Sequence, residues 1–100
     1  MPKGYLVGEL EVTNPAGYAE YSRQVPAIIA EYGGRYHVRG GDAKLLEGAG
    51  EPAKRLVVVE FDSPERLMEF YNSPSYQAIL PYRLNNSTGR VICVAGFDPG

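Results

Sequence analysis

At 100 residues, 44% of them apolar and 22% charged, the chain has the make-up of one soluble globular domain spanning residues 1–100. A formal net charge of −2 offers no basic footprint for nucleic acid, and no apolar run is long enough to span a bilayer. Met1-Pro2-Lys3 leads directly into a strand pattern without a leader-type apolar stretch, and the lone Cys93 cannot form an internal disulfide, so the expected location is the cytoplasm.

Tyr5 to Val12 alternates as a strand, with Leu6, Gly8, Leu10 and Val12 on one face and Tyr5, Val7, Glu9 and Glu11 on the other. Asn14-Pro15 then supplies an N-cap and a proline at the first helical position. Tyr18, Tyr21, Val25, Ile28, Ile29 and Tyr32 recur at helical spacing. Pro26 interrupts that stripe and predicts a kink near Ser22, and Gly33-Gly34 ends it. A second strand is expected from Arg35 to Glu47, broken by Gly40-Gly41, where a bulge or a close backbone approach is needed. Its alternation predicts Arg35, His37 and Arg39 on one face, with Tyr36 and Val38 on the other.

Gly48-Ala49-Gly50-Glu51-Pro52 is a turn cluster, after which Lys54 to Phe61 returns as a strand that is apolar on both faces at Leu56–Val59. Asp62-Ser63-Pro64 caps a helix carrying Leu67, Met68, Phe70 and Tyr71, and Asn72-Ser73-Pro74 caps a shorter one carrying Tyr76, Ile79 and Leu80, limited by Pro81. The last strand runs from Arg90 to Phe97, again apolar on both faces at Val91–Ala95, with Cys93 read as inert core. The order is β-α-β-β-α-β, an α+β ferredoxin-like unit. Its helices cover one face of the sheet, yet two strands are apolar on both, so a second copy of the chain is expected to cover the other face as a homodimer.

The runs Tyr32-Gly-Gly-Arg-Tyr-His-Val-Arg-Gly-Gly41, Leu46-Glu47-Gly48, Val57-Val-Val-Glu-Phe61 and Tyr71-Asn-Ser-Pro-Ser-Tyr-Gln77 resemble the family known as domain of unknown function 1330. The resemblance extends over nearly the whole chain. It implies a ferredoxin-like subunit that pairs into a dimeric α/β barrel, within a superfamily that includes small cofactor-free monooxygenases and muconolactone isomerases. It implies no particular reaction.

The residues themselves suggest a site for a small anionic or aromatic organic molecule between helices and sheet. Arg39 offers a guanidinium fork for an anionic group, and Tyr21, Tyr71 and Tyr76 offer phenols on helical faces turned toward the sheet. His37, the only histidine, and Glu60, which ends an apolar strand, are the candidates for proton transfer. Arg39 and Glu60 are also expected to be neighbours, as a buried ion pair or as parts of one site. Glu9 shares a strand face with Tyr5 and Val7 and is expected either at a barrel mouth in solvent or opposite one of these charges. One histidine and one distant cysteine give no metal pattern, and no phosphate-cradling glycine loop occurs, so no cofactor is indicated. The other reading is a non-catalytic dimeric structural or regulatory module in which the same polar groups hold strands and subunits together.

Overall fold

The computed structural model describes residues 2–99. Its elements are β1 (Gly4–Val12), α1 (Pro15–Glu31), β2 (Arg35–Gly41), β3 (Arg55–Phe61), α2 (Pro64–Tyr71), α3 (Pro74–Leu84) and β4 (Ser87–Ala95). The four strands form one antiparallel sheet in the order β2-β3-β1-β4, which is the ferredoxin-like arrangement. All three helices lie on one side. The shortest axis, 16 Å, accommodates one sheet and one helical layer.

Local chemistry accounts for the ends of the elements. Ser63 and Ser73 cap α2 and α3, accepting from the N–H groups of Arg66 (3.0 Å) and Tyr76 (3.2 Å), each with a proline next in the helix. Asn14 holds the N-cap position of α1 but makes no side-chain cap; its backbone N–H and that of Thr13 donate to the Asn86 carbonyl instead. At the other end of α1, Gly33 takes φ +77, and the N–H groups of Gly33 and Gly34 return to the carbonyls of Ala30 and Ile29. This is the paired closure that a left-handed residue makes possible. α3 does not stop at Pro81, as the sequence suggests, but continues to Leu84.

On the helix side the sheet presents Leu6, Leu10, Val59 and Phe61, which meet Val25 and Ile29 of α1, Leu67 and Phe70 of α2, and Tyr76, Ile79 and Leu80 of α3. Leu56 and Val58 of β3, and Ile92 and Val94 of β4, point the other way, and Ile92 and Val94 are 49% and 43% exposed. Cys93 is exposed rather than core, because β4 is an edge strand.

β2 differs most from its sequence reading. It ends at Gly41 rather than Glu47, and the ladder to β3 slips once between Tyr36 and Val38 and again between Arg39 and Gly41. Each slip is a bulge, in which an extra residue interrupts strict alternation. The first leaves Arg35 and His37 on one face but turns Arg39 to the other, so the predicted row of three does not form. At the second, Gly40 takes φ +72, and a Cβ there would lie 2.7 Å from Nη1 of Arg55. The backbone angle therefore calls for glycine, while the mobile end of Arg55 could yield the space.

Phe61 is fully buried and lies 5.1 Å, ring to ring, from Phe70. Phe61→Ala should lower unfolding free energy by about 3–5 kcal/mol in chemical denaturation; a loss below about 1 kcal/mol would contradict a core centred on this residue.

Candidate functional site

Between α1, α3 and the β2–β3 end of the sheet lies a cavity of about 30 Å³. Its apolar wall is Leu6, Leu10, Val25, Val57 and Val59, and its polar wall combines the guanidiniums of Arg39, Arg55 and Arg83 with the phenols of Tyr18, Tyr21, Tyr36 and Tyr76. A position for each side chain follows from the elements. Arg39 reaches the cavity because of the first bulge in β2. Its Nη2 donates to the Ser22 carbonyl at 3.0 Å, the acceptor that Pro26, lacking an N–H, leaves without its helical donor. Arg55 follows the inward parity of Val57, Val59 and Phe61, and its Nε donates to the Tyr18 hydroxyl at 3.2 Å. Arg83 completes the stripe Tyr76, Ile79, Leu80 on α3 and is only 6% exposed.

Each guanidinium lies over an aromatic ring: Arg39 over Tyr36 at 4.9 Å, Arg55 over Tyr18 at 5.5 Å and Arg83 over Tyr21 at 5.7 Å. Such stacking offsets part of the cost of removing a cation from water. Among the described residues, none of the three pairs with a carboxylate. The hydroxyls of Tyr21 and Tyr76 share a hydrogen bond of 2.8 Å. Burial, and then the neighbouring Tyr76 phenol, push Tyr21 far above the ordinary tyrosine range, and burial raises Tyr36 too. Tyr21 and Tyr36 are thus neutral near neutral pH. Burial disfavours the Arg83 charge, but the phenols of Tyr76 and Tyr21 more than compensate, leaving it above its ordinary value.

Of the residues singled out in the sequence, Arg39, Tyr21 and Tyr76 meet in this cavity. Tyr71 does not line it: its ring packs on Tyr76 at 5.3 Å, but it faces a separate groove of about 170 Å³ with Met68, Ile92 and Cys93. His37 and Glu60 lie across the sheet. Glu60, its side chain 12% exposed, accepts from Arg35 Nη2 at 2.9 Å, from the Tyr5 hydroxyl at 3.2 Å and meets His37 Nε2 at 3.1 Å. The expected Arg39–Glu60 pair does not exist. The bulge gives Glu60 the Arg35 guanidinium and the His37 imidazole and sends Arg39 to the opposite face. Glu9 pairs with Arg90 Nε at 2.6 Å on the outer face, in solvent. Arg83, which the Ser73-Pro74 break places at the rim of the cavity beside Tyr76, lies in its wall; Arg55 was missed, although its period-two position on β3 points inward. Among the described residues, no group of three or more His, Cys, Asp or Glu is placed to hold a metal, and no helix is long and apolar enough to cross a membrane.

A family model described as "Domain of unknown function (DUF1330)" matches residues 3–97, and the chain belongs to that family. No curated protein matches it. Among solved structures, it is similar to a protein of unknown function from Rhodopseudomonas palustris at 18% identity and a TM-score of 0.75, covering 98% of this chain and 85% of that one. A conserved protein from Methanosarcina mazei Go1 aligns at 14% identity and a TM-score of 0.53, covering 95% and 91%. A NIPSNAP domain protein from Burkholderia xenovorans aligns at 16% and 0.51, covering both chains fully. At these identities the likeness carries the fold alone.

The outer cluster has a pH signature. The His37 hydrogen bond, followed by the Tyr5 hydrogen bond and the Arg35 charge, holds the Glu60 carboxyl below its ordinary value of 4.5 against the opposing effect of desolvation. A depressed folded value means that the carboxylate stabilises the fold above about pH 4.5, and that this contribution is lost as pH falls through the folded value. Glu60→Gln should therefore flatten the acid limb of the stability–pH profile below pH 4.5 and lower stability at neutral pH; an unchanged acid limb would remove Glu60 from that role.

Proposed function

We propose that this member of the DUF1330 family is a homodimeric, cytoplasmic protein that binds a small anionic organic molecule in the cavity between the helices and sheet of each subunit. The observation that carries the reading is the gathering of Arg39, Arg55 and Arg83 beneath the helices with phenols and without a carboxylate. Arg83 is buried and Arg55 half-buried without a counter-ion, which is costly, and Arg39 stands exposed at the rim. A concave, mainly apolar hollow with a few convergent polar groups is the usual form of a ligand site. The three guanidiniums would meet the anionic end, and Tyr21 and Tyr76 would donate to it.

Its chemistry is narrower than the sequence suggested. The guanidiniums do not give up their protons and the phenols Tyr21 and Tyr36 titrate far too high to act as bases near neutral pH. His37 and Glu60 are screened from the cavity by the sheet. Acid–base catalysis by cavity residues is thus disfavoured, and a cofactor-free transformation would draw on the reactivity of the bound molecule. The apolar outer face, with Leu56, Val58, Ile92 and Val94, supports pairing with a second copy. The second reading, a non-catalytic dimeric module, draws on the small volume of the hollow.

Gly8 discriminates between the two. It lines the cavity from the central strand β1, and a Cβ there would meet Val57 and Val91 at 3.7 Å, an ordinary contact. Gly8→Ala should leave the fold intact, or stabilise it by about 0.4–1 kcal/mol, while lowering affinity for anionic ligands. In a thermal-shift screen of organic anions, a ligand at a hundredfold excess over Kd should add about 2.7 kcal/mol of stability. Arg39→Ala should abolish that gain with the dimer preserved. Binding undiminished in both variants would overturn the site.

The dimer should bury about 1,200–2,000 Å² or more in total, and Ile92→Lys should shift it toward monomer in sedimentation. A stable wild-type monomer at micromolar concentration would refute the pairing.

A further inference from the structure

We infer that Arg83, not Arg39, is the anchor of the cavity, and that the group it takes is the carboxylate head of a short-chain organic acid; this rests on the ligand-binding reading above. Arg83 sits in the last turn of α3, where a basic side chain ordinarily turns outward to the helix C-terminus and to solvent. Here it turns inward and is only 6% exposed. Its Nε is the one buried side-chain nitrogen or oxygen among the described residues that has no hydrogen-bond partner. The edge of the guanidinium formed by Nε and its neighbouring Nη is the edge that grips a planar carboxylate with two parallel hydrogen bonds. The Nε corner of that edge is thus without a partner in the cavity wall, and the Tyr76 phenol lies beside the guanidinium.

The surrounding groups share one polarity. Arg55 Nε is engaged with the Tyr18 hydroxyl and Arg39 Nη2 with the Ser22 carbonyl, and guanidiniums have donors only. In the Tyr21–Tyr76 pair one hydroxyl donates to the other, which leaves the second proton to be donated elsewhere. The cavity therefore offers an excess of donors and calls for a group that only accepts. Its volume of about 30 Å³ holds roughly two water-sized centres, which matches the two oxygens of a carboxylate. Phosphate, with oxygens on every side, would turn some of them against the apolar wall, whereas a carboxylate turns only its chain there; either molecule needs that wall to give way. The chain of the acid would run along the apolar wall beside Gly8.

The test is a titration followed through the arginine Nε–H resonances of the whole protein, each assigned by its loss in the matching Arg→Lys variant. Sodium propionate is the probe, with sodium chloride at equal ionic strength and sodium phosphate as comparators. The expected result is a saturable downfield shift of the Arg83 Nε–H with propionate and none with chloride. Arg83→Met should weaken propionate binding at least about tenfold, the change that a lost two-point charged contact of some 1.4 kcal/mol or more would give. If Arg83→Met does not fold, the wild-type titration decides alone. Shifts at Arg39 or Arg55 with Arg83 unmoved would overturn the anchor and leave the binding reading standing. An equal response to phosphate would overturn the carboxylate assignment. No response at any cavity arginine to either anion would overturn both.

Discussion

The two register slips in β2 govern the arrangement of charge in this protein. In a strand of strict alternation, Arg35, His37 and Arg39 would share a face, and Glu60 would gather all three. The slip after Tyr36 divides them. Glu60 keeps the Arg35 guanidinium and the His37 imidazole and, through Tyr5, ties β1, β2 and β3 together on the outer face. Arg39 crosses to the helices, where the carbonyl freed by Pro26 receives it. The slip at Gly40 then opens the space in which the Arg55 guanidinium lies. One local irregularity thus divides a row of charge between the two faces of the sheet, with Arg39 exposed at the rim of the helix-side cavity.

Half-buried Arg55 and buried Arg83 sit uneasily with stability alone. Replacing buried ionic groups with well-packed apolar ones is often neutral or favourable, and the positions of Arg55 and Arg83 would both accept such residues on periodicity. Aromatic faces lie near all three guanidiniums, but ring stacking returns only about 0.5–2 kcal/mol each, less than the several kcal/mol that burying an ion costs. Arg55 and Arg39 recover more through hydrogen bonds to Tyr18 and Ser22. Arg83, the most buried of the set, gains from the phenols of Tyr76 and Tyr21, yet its Nε has no partner. An anion bound as proposed would supply that partner.

Element order, the helix caps at Ser63 and Ser73, the glycine stop after Tyr32 and the doubly apolar strands were legible in the sequence, because each depends on local chemistry or on period. The glycine pair also marked a bulge. What periodicity could not show was the consequence of that bulge, since alternation counts residues and a bulge inserts one. The pairing of Arg39 with Glu60 failed for this reason. Tyr71 failed for another: α2 and α3 are separate helices with a break at Asn72-Ser73, so Tyr71 and Tyr76 face adjoining hollows rather than one. Arg55 was within reach of the same rules, since it shares the inward parity of Val57 and Val59.

Gly8 is the residue that best separates what the fold needs from what a site needs. It lies at the middle of the central strand, facing the helices, where an apolar side chain would add burial. Neither backbone conformation nor space demands glycine there: it is absent from the positive-φ glycines, and its missing Cβ would meet its neighbours at ordinary distances. Gly34 is a contrast, since a Cβ there would lie 2.7 Å from both Ile29 and Phe61, so packing alone explains it. A glycine kept where packing would prefer a methyl group costs the strand stability. It also keeps open the floor of the only hollow that Arg39, Arg55 and Arg83 jointly line among the described residues. The open floor and the unpartnered Arg83 Nε are independent features of different elements, and both support the proposed small anionic ligand.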